Sequence, residues 1–164
     1  MKRTFAAACG LVFAAALAGC GSTTDSLDFK VPQGYSSKMN TFVMSMWTKG
    51  TTPGGADSVI ILFKSPVKGD AKMKLDPTEL TTSSGTKNLK VDSSANIQIC
   101  GAHPAMLIKG TGTSERTKGK DENVEMLMTN WDGTIYMAMY AYPTTEKPDP
   151  AAEDAIKTVC EKGK

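Results

Sequence analysis

The chain has 164 residues, with 19 Lys and Arg against 17 Asp and Glu, one His, four Cys and ten Met. Its +2 charge is not gathered into the Lys and Arg clusters that phosphate binding requires, so no nucleic-acid partner is expected. No stretch reaches the roughly twenty apolar residues of a spanning helix, and the length suits one domain that can bury a core.

Lys2 and Arg3 precede a short apolar run, Phe5 to Leu17, and small residues then lead to Cys20. This is the construction of a secretory signal. At about thirteen residues the run is too short to span a bilayer. Leu17-Ala18-Gly19-Cys20 resembles the lipobox of bacterial lipoproteins at all four positions. The resemblance implies that residues 1–19 are a signal peptide and that the Cys20 thiol receives a diacylglyceryl group. Cys20 would then be the acylated, palmitate-bearing first residue of the mature protein. Loss of Lys2 and Arg3 leaves 17 basic and 17 acidic residues, so no polybasic patch assists attachment. Lipid on Cys20 suffices, because one acyl chain binds marginally while two anchor stably. The expected location is the cell envelope, lipid-anchored. Gly21 stands where an aspartate would signal inner-membrane retention, which implies the periplasmic side of the outer membrane in a Gram-negative cell. Residues 20–27 read as the lipidated cysteine and a flexible tether, Gly21 to Ser26 being small and polar, and residues 28–164 as a single globular domain.

Leu27 to Val31 alternates and ends at the turn Pro32-Gln33-Gly34-Tyr35. Thr41 to Thr48 predicts a strand with Phe42, Met44 and Met46 on one face and Val43, Ser45 and Trp47 on the other. Pro53-Gly54-Gly55 marks a turn, and the β-branched run Ser58 to Phe63 predicts the hairpin partner of that strand. Asp76-Pro77-Thr78-Glu79 carries a helix start, with Asp76 as N-cap, Pro77 as first helical residue and Glu79 completing a capping box. Two strands, Asn96 to Cys100 and Ala105 to Lys109, are expected on either side of Gly101-Ala102-His103-Pro104. Gly110 to Asp121 shows no period and reads as a mobile loop. Asn123 to Trp131 and Thr134 to Tyr142 alternate around Asp132-Gly133, a two-residue type I′ hairpin signal. That turn sets Trp131 opposite Thr134, Met128 opposite Met137 and Met126 opposite Met139. Asp149-Pro150 caps a last helix whose stripe is Ala152, Ala155, Ile156 and Val159. The order predicts an α+β domain, a largely antiparallel sheet covered by helices.

Cys9 leaves with the signal and Cys20 carries lipid, which leaves Cys100 and Cys160 as a pair in an oxidising compartment. Their spacing is unlike the Cys-x-x-Cys of redox-active pairs, and a structural disulfide is expected.

Phe29-Lys30-Val31-Pro32-Gln33-Gly34-Tyr35 resembles the opening motif of Mog1/PsbP-like domains. Cys100-Gly101-Ala102-His103-Pro104-Ala105 is similar to their mid-domain turn. The Asp132-Gly133 hairpin, the Tyr136 and Tyr140 strand and the closing helix follow in the same order. The likeness covers residues 28 to 161 and implies an α/β/α sandwich, a binding or accessory role, and no shared catalytic motif.

Three groups of residues could carry chemistry. Met44/Met46, Met126/Met128 and Met137/Met139 are Met-x-Met pairs, each on one face of a strand. Soft thioethers suit Cu(I), so Met126, Met128, Met137 and Met139 form a candidate copper site, with core packing and an adaptable binding face as the alternatives. His103, the single histidine, sits in a turn, and no Gly-x-Ser-x-Gly elbow accompanies it. Trp131, Tyr136, Tyr140 and Tyr142 share a face with Thr129 and Glu125, as either a binding surface or a covered layer. The expectation is a non-catalytic envelope lipoprotein without cofactor, binding an envelope protein or small ligand. A Cu(I) chaperone or sensor is the alternative.

Overall fold

The computed structural model describes residues 22–50, 58–68, 85–115 and 117–163. The signal segment, Cys20 and the predicted helix start at Asp76 lie outside these residues. After a 3-10 turn, Thr23–Ser26, come β1 (Leu27–Asp28), β2 (Ser36–Asn40), β3 (Met44–Lys49), β4 (Ser58–Lys68), β5 (Thr86–Ile99), β6 (His103–Ser114), β7 (Asp121–Trp131) and β8 (Thr134–Pro143). One α-helix, α1 (Pro150–Lys157), and β9 (Cys160–Glu161) end the described chain.

Seven strands form one antiparallel sheet in the order β2-β3-β4-β8-β7-β6-β5, and β1 pairs with β9 in a separate two-stranded ribbon. Two meanders, β2-β3-β4 and β5-β6-β7-β8, meet at the β4–β8 ladder in the middle. The central strands are apolar on both sides, as strands buried on both faces must be. In β8, Tyr136, Ala138, Tyr140 and Tyr142 point one way and Met137, Met139 and Ala141 the other, and all seven are buried.

Local chemistry explains where elements begin and turn. Asp132 and Gly133 both have positive φ, 50° and 82°, which defines the type I′ turn, and the Asn130 side chain accepts from the Gly133 N–H at 2.9 Å. The predicted register is the observed one, with Trp131 opposite Thr134, Met128 opposite Met137 and Met126 opposite Met139. Asp149 caps α1, its carboxylate accepting from the Ala151 N–H at 3.0 Å, with Pro150 in the first turn. Of the predicted stripe, Ala152, Ile156 and Val159 are buried against the sheet while Ala155 is half-buried, and burying Ile156 stabilises by about 2 kcal/mol. The predicted β3–β4 hairpin is also present.

The helix-flanked α+β sandwich is corrected. Strands make up most of the described residues, and the single α-helix among them lies on one face, against β7 and β8. The α/β/α layering implied by the Mog1/PsbP resemblance is therefore not the observed architecture. The reason lies at the far edge. β5 covers the largely polar stretch Thr86–Ile99, and β6 runs on through Gly110–Ser114, the first part of the Gly110–Asp121 segment expected to be a mobile loop. An edge strand buries few side chains, so it carries no apolar alternation to betray it; most of β5 is exposed.

Three local differences accompany this one. The turn between β5 and β6 is Cys100-Gly101-Ala102, and His103 and Pro104 already belong to β6. Phe42 lies in the β2–β3 turn, 48% exposed, rather than on a strand face with Met44 and Met46. The segment read as a tether is folded from Ser22 onward. Ser22 and Asp25 form a capping box, and the fully buried Thr23 donates to the Thr41 carbonyl from both its N–H and its hydroxyl, each at 2.9 Å.

Candidate functional site

The sheet separates two chemistries, one on each face. On the face covered by α1, Trp47, Ile60, Leu62, Leu127, Tyr136 and Tyr140 pack with Ile156 and Val159. Trp131, Tyr136, Tyr140 and Tyr142 are at most 9% exposed, so these aromatics form a covered layer rather than an open binding surface. The Cys100–Cys160 disulfide, with Cα atoms 5.7 Å apart, ties the β5–β6 turn to β9 just beyond the helix. His103 braces the same end. Its ring stacks on Trp131 at 5.2 Å and its Nε2 lies 3.0 Å from the Asn130 carbonyl.

Two polar clusters are set into this covered face. Glu125 of β7 is 4% exposed; its Oε1 accepts from Lys109 Nζ at 2.7 Å and its Oε2 lies 3.7 Å from Lys157 Nζ of α1. Glu153 of the helix shares the site. Burial alone would raise Glu125, but the Glu153 hydrogen bond and the Lys109 and Lys157 charges together hold it below the ordinary carboxylate value. Glu153, hydrogen-bonded to Glu125 and partly desolvated, is raised. The two carboxyls are thus shifted in opposite directions, Glu125 down and Glu153 up, where strand meets helix. At the helix N-terminus, Lys49 Nζ meets Asp149 Oδ2 at 2.6 Å and lies 5.6 Å from the Tyr35 ring centre. The Tyr140 hydroxyl accepts from the Asp149 N–H at 2.8 Å. Burial, then the neighbouring Tyr140, pushes the Tyr35 hydroxyl well above its ordinary range. These groups lock α1 to the sheet.

A third polar group closes the β6–β7 connection. Glu122, 1% exposed, accepts from Thr86 at 3.0 Å and Ser114 at 3.1 Å, and the Thr117 hydroxyl donates to the Lys120 carbonyl at 2.6 Å. Sequence reasoning placed Glu125 on the aromatic face by parity. It missed Glu122, Tyr35 and Lys49, whose partners stand on distant strands and leave no local pattern.

The opposite face is the methionine face. Met126, Met128, Met137 and Met139 come together as the hairpin register requires, at 0–7% exposure, among Val59, Ile61, Ile108, Val124 and Ala141. Their surroundings are those of packing residues. The ladders extend the pattern in two rows across the sheet. One runs Met39, Met46, Ile61, Met139, Met126, Ile108; the other runs Met44, Phe63, Met137, Met128, Met106. Eight of the ten methionines thus share one face, in a gradient from buried centre to open rim. Met44, Met46 and Met106 are partly buried, and Met39 on the edge strand is 38% exposed. Among the described residues, no group of three His, Cys, Asp or Glu is placed to hold a metal ion, so thioethers are the metal-binding donors this face offers.

These features define an antiparallel β-sheet domain closed on one face by a single described helix and a disulfide. No family profile and no curated protein matches the chain. Solved structures share its fold. A Pseudomonas aeruginosa protein of unknown function, PA94, is 13% identical over 82% of this chain and 90% of that one, with a TM-score of 0.56. LpqN, involved in cell envelope biogenesis of Mycobacterium tuberculosis, is 14% identical over 81% of this chain and 82% of that one, with a TM-score of 0.53. A protein from Bacteroides thetaiotaomicron is 12% identical over 84% of this chain with a TM-score of 0.54, and this chain spans 46% of its length. At these identities the likeness is one of fold. No helix among the described residues is long and apolar enough to cross a membrane.

Proposed function

We propose that the chain is a lipid-anchored accessory protein of the bacterial cell envelope, which holds a partner rather than transforming a substrate. The observation that carries this reading is the Cys100–Cys160 disulfide, because such bonds persist in oxidising compartments. It agrees with the secretory pattern Lys2 to Cys20, in which Leu17-Ala18-Gly19-Cys20 marks Cys20 for acylation. The fold likeness to LpqN supports an envelope role. A binding role is supported by the tasks the polar side chains already hold: Glu125, Asp149 and His103 join helix, hairpin and strands to one another.

Mass spectrometry of the mature N-terminal peptide tests the anchor. A diacylglyceryl thioether on Cys20 is expected, and Cys20→Ala should release the protein from the membrane fraction. An unmodified Cys20 in membrane-bound protein would refute the anchor. The partner is tested with a photo-crosslinking amino acid at Phe42, the most exposed large apolar side chain described. A discrete adduct in intact cells is expected, and its absence at saturating illumination counts against a protein partner.

A further inference from the structure

We propose that Met39, Met44 and Met46 form a Cu(I) site at the open rim of the methionine face. The site rests on neither the lipid anchor nor the partner. Met39 of β2 stands directly opposite Met46 of β3, so the two side chains leave the sheet on the same side, with Cβ atoms about 5 Å apart. Met44 lies two residues before Met46 on the same strand and therefore on the same face. Three thioethers thus converge across one ladder rung and its neighbour. A methionine side chain has three rotatable bonds, so three sulfurs at this spacing can turn inward to meet one ion. Three soft neutral sulfurs in a trigonal set suit a soft monovalent d10 cation and serve Mg2+, Ca2+ or Zn2+ poorly.

Position argues for these three rather than the central four. Met126, Met128, Met137 and Met139 are sealed at 0–7% exposure, so an ion reaching them would have to displace packed side chains. The rim trio is reachable. Met39 is 38% exposed, and Met44 and Met46 are partly buried. The edge strand makes Met39 conspicuous: the rest of β2 is Ser36, Ser37, Lys38 and Asn40, all exposed and all polar. Polar edges keep a sheet from pairing with other chains, and an apolar residue there works against that protection. Placed against another methionine, it has a use as a ligand. Phe63, opposite Met44, and Ile61, opposite Met46, stand on the same face and supply an apolar wall beside the three sulfurs. Such a wall favours a cation of low charge that needs little hydration.

The test titrates the full-length protein, purified in detergent, with copper held as Cu(I) under anaerobic reducing conditions by a chromophoric chelator. The wild type should withdraw one Cu(I) per chain. Met39→Leu/Met44→Leu/Met46→Leu together should weaken binding at least tenfold, while Met126→Leu/Met128→Leu/Met137→Leu/Met139→Leu should leave it within twofold. Leu for Met is close to volume-conserving, and thermal melts establish whether each variant folds. A second measurement needs no variant. Peroxide treatment followed by peptide mass spectrometry should show Met39, Met44 and Met46 oxidised in the apo protein and protected by one equivalent of Cu(I). Failure of the wild type to take up Cu(I), loss of binding only in the central variant, or no protection of the rim methionines overturns the proposal.

Discussion

At the scale of single residues, the most telling feature is the opposite shift of two neighbouring carboxyls, Glu125 and Glu153. Glu125 sits under the helix, facing Lys109, Lys157, Glu153 and Tyr142, and its pKa is depressed. Its contribution to stability is therefore present above its unfolded pKa and fades as pH falls through the lowered folded value. Glu153 has the opposite sign. Its raised pKa stabilises the fold below its ordinary value, and that help disappears as pH rises through the raised value. Glu153→Gln keeps a hydrogen-bond donor towards Glu125 and removes the titration. Thermal melts should show variant and wild type close together near about pH 4, with the variant gaining about 0.5 kcal/mol by about pH 7, the scale of a solvent-screened charge contact. Parallel melting curves across that range would show that Glu153 is not raised by its neighbour. Parity along β7 already put Glu125 on the aromatic face. Its helix partner could not be read, because nothing local says that α1 crosses β7 at that point.

At the scale of elements, the far edge of the sheet depends on glycine. Gly110 and Gly112 lie in β6 where β5, bulged between Lys87 and Lys90 and again between Val91 and Ser93, passes close by. A Cβ on Gly110 would collide with the Lys90 carbonyl and come within 3.3 Å of the Leu89 side chain. A Cβ on Gly112 would collide with Thr86 Cγ2 and lie 3.1 Å from the Lys87 carbonyl. Gly-Thr-Gly-Thr reads locally as a loop, whereas here it is a strand whose missing side chains let another backbone approach. Gly110→Ala should cost about 1–3 kcal/mol, the usual range for overpacking. Amide exchange should quicken in β5 and its β6 partners, while the β4–β8 ladder keeps its protection. An unchanged exchange pattern in β5 would remove the close approach as the reason for glycine. The C-terminal hairpin makes the contrast. There the turn residues Asp132 and Gly133 determine type and register by their own φ values, so the sequence suffices.

At the scale of the whole molecule, the disulfide joins segments 60 residues apart and holds the β5–β6 turn to β9. Closing a loop of that length restricts the unfolded chain, worth about 4 kcal/mol in the chain-entropy account. The Cys100→Ser/Cys160→Ser variant should melt about 10–15 °C below the oxidised protein, and reductant should lower the wild type by the same amount. Equal melting points with and without reductant would mean that packing by Ile156, Val159 and Leu27 holds this end unaided. The same scale gives the faces their characters. With β4 and β8 at the centre, one side of the sheet is aromatic and closed by α1. The other is methionine-rich, buried in the middle and open at the β2 rim.

By itself the sequence determined the features that neighbouring residues settle among themselves. These are the Asp132-Gly133 turn and its register, the Asp149-Pro150 helix start and its stripe, the parity of the Met-x-Met pairs, and the pairing of Cys100 with Cys160. Tertiary structure alone decided strand order, and with it everything that depends on which strand meets which. It made strands of polar and Gly-rich segments that show no apolar alternation, replaced the expected helix-flanked sandwich with a broad antiparallel sheet, and folded Ser22 to Ser26 onto Thr41. It also brought Met39 across from Met46. The physical reason is common to all of these: local preferences act over a few residues, whereas an edge strand, a close backbone approach or a cross-strand pair exists only once distant segments have met.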